Sequence, residues 1–344
     1  MRASFPVLSC FALWLGVSLG LGLATPGLAQ TDTSSLVHHW SADELRGGSS
    51  KMLLATTTHL IKLVAVGDPE YASHQGTTDI FFVEKGAGTM LAGGTLVGAA
   101  ALPGMPGEMR GSSITGAQSY DLKPGAVINI PPSTPYALQK GPQGLTVVQL
   151  RVNVGMHPWE IVATQQATLA DTPTHKTVHI PLNSDQGGVL YWPADQLQHA
   201  REELERIAKA GGSVADPRDL VAIPATRTHA YNVLHRVVGK DGNPPAVEFH
   251  EGNTDVYFVM GGTATLATGG EIQNRRPSPG RPGEENGTLI IGGDRLPMAA
   301  GDVVNMPPLT PHQSLPSPDG YTYFLVKVNT EHYPWELTED SMKK

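Results

Sequence analysis

Cysteine is almost missing from this sequence. The single one, Cys10, lies in a leader-like stretch, so the rest of the chain has no thiol nucleophile, no disulfide and no cysteine-based metal site. Aromatic residues make up only 6% and charged residues 16% of the 344 positions, against 39 glycines and 28 prolines, a balance that favours a turn-rich β architecture. Positive charge is short as well. A formal net charge of −8 excludes nucleic acid as a natural partner and gives no attraction to an anionic membrane surface. No Gly-x-Ser-x-Gly elbow and no phosphate-cradling glycine loop occurs, which removes the serine hydrolases and the nucleotide-binding classes.

The first residues read as an address rather than as fold. Arg2 gives a minimal positive start, Phe5 to Leu23 is apolar, and Gly27-Leu28-Ala29 is a small-x-small cleavage site. A Sec-type signal peptide over 1–29 is expected, and with it a periplasmic or secreted protein that no longer touches the membrane once cleaved.

What the sequence has in abundance is itself, twice. His74-Gln-Gly-Thr-Thr-Asp79-Ile-Phe-Phe-Val83 is answered 176 residues later by His250-Glu-Gly-Asn-Thr-Asp255-Val-Tyr-Phe-Val259. Pro131-Pro-Ser-Thr-Pro135-Tyr136 is answered at the same offset by Pro307-Pro-Leu-Thr-Pro311-His312. The register also fits His59/His235, Glu108/Glu284, Gly125/Gly301, Asn129/Asn305 and Trp159/Trp335, which predicts two copies of one domain with turns conserved between them. Trp159 and Trp335 read as packing residues. Trp40-Ser-Ala-Asp43 recurs as Trp192-Pro-Ala-Asp195 at an offset of 152, so the second copy carries 24 more residues before His235. That extra length, from Asp195 as cap through Leu197, Leu204 and Ile207 to Gly211-Gly212, has helical spacing. Domains are expected over 36–165 and 185–340, joined by a linker over 166–184. Within each copy, β-branched and aromatic runs bounded by glycine and proline predict strands. A long excursion, Leu96 to Gly111 and Gln273 to Gly287, sits at the same edge of both copies and reads as a lid or binding element.

His250-x4-Asp255-x6-Gly262 followed by Gly301-x5-Pro307-x3-Pro311-His312 resembles the two motifs of the cupin superfamily, and the chain as a whole resembles a bicupin. The resemblance implies an all-β fold of two tandem double-stranded β-helix (jelly-roll) barrels with short flanking helices. It also implies a metal site in the second copy. His250 and His312 fall on two of the family's histidines, Asp255 on its glutamate and Glu248 on its first histidine. In the first copy the same positions hold Ala72, His74, Asp79 and Tyr136, which leaves one imidazole and one carboxylate. Leu309 and Ser133 replace the glycine of the second motif.

The residues support a metal site on their own. Glu248 and His250 are two apart on an extended segment and so share a face, Asp255 opens the next strand, and a proline-rich turn fixes the approach of His312. Two imidazoles and two carboxylates suit one divalent transition metal (Fe, Mn, Zn, Ni or Cu), and with Glu248 turned away the other three leave positions open for substrate. Tyr257, two residues after Asp255, shares its inward face and is the candidate catalytic donor, or else a packing residue. His59 and His235 are expected to be structural. Tyr136 is expected to point into the first barrel as His312 does into the second, so that Tyr136→His would create a weak second site. The functions compatible with this set are a metal-dependent enzyme acting on a small molecule (oxygenase, decarboxylase, lyase or isomerase), a non-catalytic binding module, or a structural bicupin. A small-molecule ligand is the expected partner, and self-association is left open.

Overall fold

The computed structural model of the chain describes residues 37–56, 58–103, 107–154, 188–211, 214–215, 228–279 and 283–329. The expected signal peptide, the 166–184 linker, Trp159 and Trp335 lie outside the described residues. Among the described residues no helix is long and apolar enough to cross a membrane.

Each repeat folds into a ten-stranded antiparallel sheet rolled around its own core. The frame of the first is a pair of long strands, Thr77–Ala92 and Tyr136–Asn153; in the second it is Asn253–Thr268 and His312–Asn329, at the expected 176-residue offset. Strands of 16 and 18 residues cannot stay flat across a barrel, and they bend at register shifts. Gly262 sits at one such bend with φ 75°, and a Cβ there would meet the Gly320 carbonyl oxygen at 2.3 Å. Only glycine fits that approach. The all-β jelly-roll expectation agrees with what is observed.

Two features depart from the sequence reading. The strand that opens each repeat pairs with the other repeat's barrel: His38–Trp40 lies against Val303–Asn305, and Leu190–Trp192 against Val127–Asn129. Divisions at 36–165 and 185–340 therefore do not coincide with sheet membership at these strands. The second departure is a shift in offset. In the first barrel His59 opposes Val152; in the second, Val328, the twin of Val152, opposes His229. The structural counterpart of His59 is thus His229 and not His235, and the offset on this strand is 229 − 59 = 170. Thr58 and Thr228 each approach the following histidine's Nδ1 at 3.0 Å, which makes the equivalence plain.

Both repeats contribute to one large apolar core. Ile61, Leu63 and Phe82 of the first pack with Tyr231, Val233, Phe258 and Phe324 of the second. Phe82 and Phe258 are twins and stack on each other, as residues beside a local two-fold axis must. His59 Nε2 reaches across to Asn305 Oδ1 at 2.8 Å, and burial pushes the His59 imidazole down to about 4, so it stays neutral and structural. The expected amphipathic helix forms over Ala194–Gly211, with Leu197, Ala200 and Leu204 buried in that shared core.

The Leu96–Gly111 and Gln273–Gly287 excursions are not free flaps. Each returns as a sheet strand, Glu108–Gly111 beside Tyr71–His74 and Glu284–Gly287 beside Val247–His250.

Candidate metal centre

Cross-strand pairing assembles the second barrel's site. Glu248 stands opposite His312, His250 opposite Glu284, and Asp255 opposite Lys327. Cβ atoms of directly opposed residues lie about 5 Å apart, so three adjacent pairs place six chemically active side chains in one cluster. The turn before His312 forms without the glycine it lacks. Leu309 takes the left-handed conformation with φ 63°, as Ser133 does in the first barrel with φ 62°. The Leu309 amide donates to the His250 carbonyl at 2.7 Å, tying the turn to the strand that carries the first histidine.

Glu248, His250, Asp255 and His312 converge, each with one ligand atom within 4.8 Å of the others. His250 Nε2 lies 3.3 Å from Asp255 Oδ2, and His312 Nε2 lies 3.7 Å from both Asp255 Oδ2 and Glu248 Oε2. Metal–donor bonds of about 2.0–2.2 Å put neighbouring donors roughly 3–4 Å apart, so the spacing fits a common ion. The hydrogen bonding fits as well. Both Asp255 oxygens and His312 Nε2 are buried without a well-aligned hydrogen bond, although buried polar atoms normally have one. His312 Nδ1 donates to the Thr310 carbonyl at 3.0 Å, which leaves Nε2 with its lone pair toward the cluster. His250 Nδ1 lies 3.1 Å from Glu284 Oε1, the outer carboxylate that orients a ligating imidazole. Glu248 is only partly buried and marks the side open to solvent.

Charge is concentrated here. Burial alone would lower the His250 pKa, and Lys327 acts in the same direction, but Asp255 and Glu284 outweigh them and hold it up at about 9. Burial works against ionising Asp255, Glu248 and Glu284, yet Lys327 and His250 beside Asp255 and Glu284, and Arg236 beside Glu248, hold all three below the usual carboxylate range. Arg236 donates to Glu248 at 3.0 Å and to the Tyr323 hydroxyl at 3.3 Å.

Tyr257 is on the inward face, as expected. Its ring stacks on Tyr323 with centroids 4.1 Å apart, it is fully buried, and burial keeps its hydroxyl protonated. His235, expected to be structural, is buried and hydrogen-bonded to Thr322 at 2.9 Å. The sequence reading passed over Glu284, Lys327 and Arg236. A signal existed for two of them: Glu108/Glu284 and Arg151/Lys327 are charged twins on strands that are otherwise largely apolar. Arg236 has no such signal, because the true counterpart on its strand is Val66.

The first barrel shows how such a site closes. His74 is hydrogen-bonded to Asp79 through Nδ1, and Arg151 donates to its Nε2 at 3.0 Å, consuming the lone pair a metal would need. Arg151 also donates to Asp79 at 2.8 Å and to Glu108 at 2.5 Å, and Gln149 donates to Asp79 at 3.0 Å. Tyr136 points inward as expected, with its hydroxyl 3.4 Å from His74 Nδ1; burial and Asp79 hold that phenol far above its ordinary pKa. The expectation that Tyr136→His would create a weak second site meets an obstacle it did not include, since Arg151 donates to the His74 Nε2 that a metal would use.

No protein-family model and no curated protein sequence matches the chain. Solved structures do. A salicylate 1,2-dioxygenase from Pseudaminobacter salicylatoxidans superposes with TM-score 0.51 at 12% identity, covering 85% of this chain and 84% of that one. A point mutant of that enzyme in complex with gentisate gives TM-score 0.51 at 10% identity over 89% of this chain and 86% of that one. A cupin 2 conserved barrel domain protein from Leptotrichia buccalis gives TM-score 0.46 at 9% identity, over 82% and 88%. The chain shares the fold of the salicylate dioxygenase, present here as two all-β barrels in one chain, in agreement with the fold that the cupin resemblance implies.

Proposed function

We propose that this is an exported metal-dependent enzyme whose single centre lies in the second barrel, held by Glu248, His250, Asp255 and His312, and that it acts on a small polar molecule. The observation that carries the reading is the convergence of buried donor atoms that lack aligned hydrogen bonds, with His312 Nδ1 hydrogen-bonded from behind and His250 Nδ1 3.1 Å from the Glu284 carboxylate. The donor set suits Fe(II), Mn, Zn, Ni or Cu. Such an ion, when bound, supplies Lewis acidity and an open position for substrate or dioxygen. Around it, Arg236 orients Glu248, Glu284 orients His250, and Lys327 offers a cation beside the ligands to an anionic substrate. Tyr257 is the proposed proton donor, adjacent through its hydroxyl to Tyr323. Export is proposed from the leader composition alone.

The fold's neighbours include an enzyme acting on salicylate and a complex with gentisate, so hydroxylated aromatic acids are the first substrates to try. The test is dioxygen uptake and product analysis with these acids after reconstitution with each metal. Turnover that disappears in His312→Ala supports the reading; identical turnover in that variant rejects it.

A second reading, a metal-free binding module, is favoured by one observation. The Lys327 ammonium lies 3.4 Å from His250 Nε2 and 3.8 Å from Asp255 Oδ1, and competes with an ion for the same lone pairs. Lys327→Met separates the two, since it raises metal affinity under the first reading and only destabilises the fold under the second.

A further inference from the structure

The first barrel, closed to metal, keeps a cavity of about 670 Å³ over the His74–Asp79–Arg151 network. That is within the usual range of small-molecule sites, about 300–1,000 Å³. The reason is visible in the twins. Phe81, Leu145 and Val147 stand where the second barrel has Tyr257, Tyr321 and Tyr323, and Val66 stands where it has Arg236. Each smaller side chain leaves volume that the second barrel fills.

The lining has two halves. One is apolar, with Val64, Val66, Phe81, Leu102 and Leu138. The other is charged. Lys62, Arg110 and Arg151 face it together with Glu108; Asp79 lies buried behind Arg151, and Asp68 and Glu70 are exposed at the rim. Counted with the rim, the lining carries three cations and three carboxylates; inside the rim, three cations stand against Glu108 and the Asp79 behind it. Both inner carboxylates are engaged by Arg151, and Arg110 stands 3.7 Å from Glu108 and 3.7 Å from Glu70. Among the described residues Lys62 has no hydrogen-bond or salt-bridge partner. It is half-buried, and burial together with the neighbouring Arg151 lowers its pKa against Glu108 and Asp79, which raise it. A partly desolvated ammonium that makes no hydrogen bond or salt bridge, beside two guanidinium groups, offers a place for one negative charge.

We propose that the first barrel is a metal-independent binding site for a small monocarboxylate with an apolar body, its carboxylate on Lys62 and Arg110 and its body against Phe81, Leu102 and Leu138. The site stands apart from the metal centre and does not depend on it. Lys62 lies opposite Gln149 across the strands, and Gln149 in turn holds Asp79, so the carboxylate end of the ligand rests on the same rigid network that excludes the ion.

The test is isothermal titration of the chelator-treated full chain with benzoate, with benzamide as the neutral isostere and acetate as the anion without an apolar body. A charge-assisted hydrogen bond to a half-buried cation is worth about ten- to a hundredfold in affinity. Benzoate is expected to bind at one equivalent, at least about tenfold more tightly than benzamide or acetate, and equally in His250→Ala/His312→Ala. Lys62→Met should lose about tenfold or more and Lys62→Arg should keep most of the affinity. Four results overturn the proposal. They are no benzoate binding by the folded chain, equal affinity for benzamide, affinity unchanged in Lys62→Met, and loss of binding in the double-histidine variant, which would assign the ligand to the second barrel.

Discussion

Replacing Arg151 by methionine removes the cation that stands in for a metal in the first barrel. The Arg151 side chain donates to Asp79 at 2.8 Å, to Glu108 at 2.5 Å and to His74 at 3.0 Å, and Asp79 is 1% exposed. Breaking a buried ion pair from one side costs about 3–5 kcal/mol, because the remaining charge has no water to turn to. Asp79 keeps His74 and Gln149, which places its share at the low end. Glu108, with its side chain 16% exposed, recovers solvent and adds at most about 1 kcal/mol. The expected loss is about 3–4 kcal/mol at neutral pH, read from urea unfolding of the variant against the parent. The pH dependence follows from Asp79. Burial would raise its pKa, but His74 and Arg151 together hold it below the ordinary value. A depressed carboxyl stabilises above its unfolded pKa and loses that stabilisation as pH falls through the folded value, so the deficit should shrink below about pH 4. Asp79→Asn/Arg151→Met should recover about 2 kcal/mol of the single-variant loss, since neither charge is then stranded. A loss under about 1 kcal/mol in Arg151→Met, or strict additivity in the double variant, would refute a charge-closed first barrel.

Glu84 gives a stability change of opposite sign. Burial, reinforced by Asp302 against the pull of Arg46, raises its carboxyl to about 7, so ionisation burdens the native state increasingly from about pH 4.5 to pH 7. Glu84→Gln should therefore raise stability by about 1–3 kcal/mol at pH 8 and leave it unchanged near pH 4, which thermal unfolding at the two values decides. Leu309→Gly should relieve the left-handed strain and gain about 1 kcal/mol net of glycine's extra unfolded-state freedom, with Tm rising and metal content unchanged. Tyr136→His should not create a second metal site, because Arg151 still occupies His74 Nε2, whereas Ala72→Glu/Tyr136→His/Arg151→Lys should bind a second cobalt ion in titration. A second equivalent in the single variant would show that the guanidinium does not close the site.

Most of the fold was legible because the repeat fixed it. Strands of matching length begin at Thr77 and Asn253 and at Tyr136 and His312, and the turns between them keep their spacing. The exchange of the opening strands was not legible. His38–Trp40 and Leu190–Trp192 carry the same pattern whichever barrel they complete, and pairing partners are not written in a strand's own sequence. The six-residue shift that makes His229 the counterpart of His59 was hidden by a coincidence, since His235 also carries an imidazole at the ungapped offset. In the site, the four proposed ligands were found because their residue types are metal-specific. Glu284 and Lys327 carry a weaker signal, as charged twins of Glu108 and Arg151 on largely apolar strands; Arg236 carries none, since its counterpart is Val66, and nothing in the residue type says that the Arg151 guanidinium reaches His74.

In the function proposed above, one barrel holds a metal and the other has replaced it by charge. Metal content of the purified full chain, measured by elemental analysis after loading and desalting, tests it most directly. One equivalent per chain is predicted, lost in His250→Ala/His312→Ala and retained in His74→Ala. Two equivalents, or a single equivalent that survives loss of both second-barrel histidines, would contradict the account.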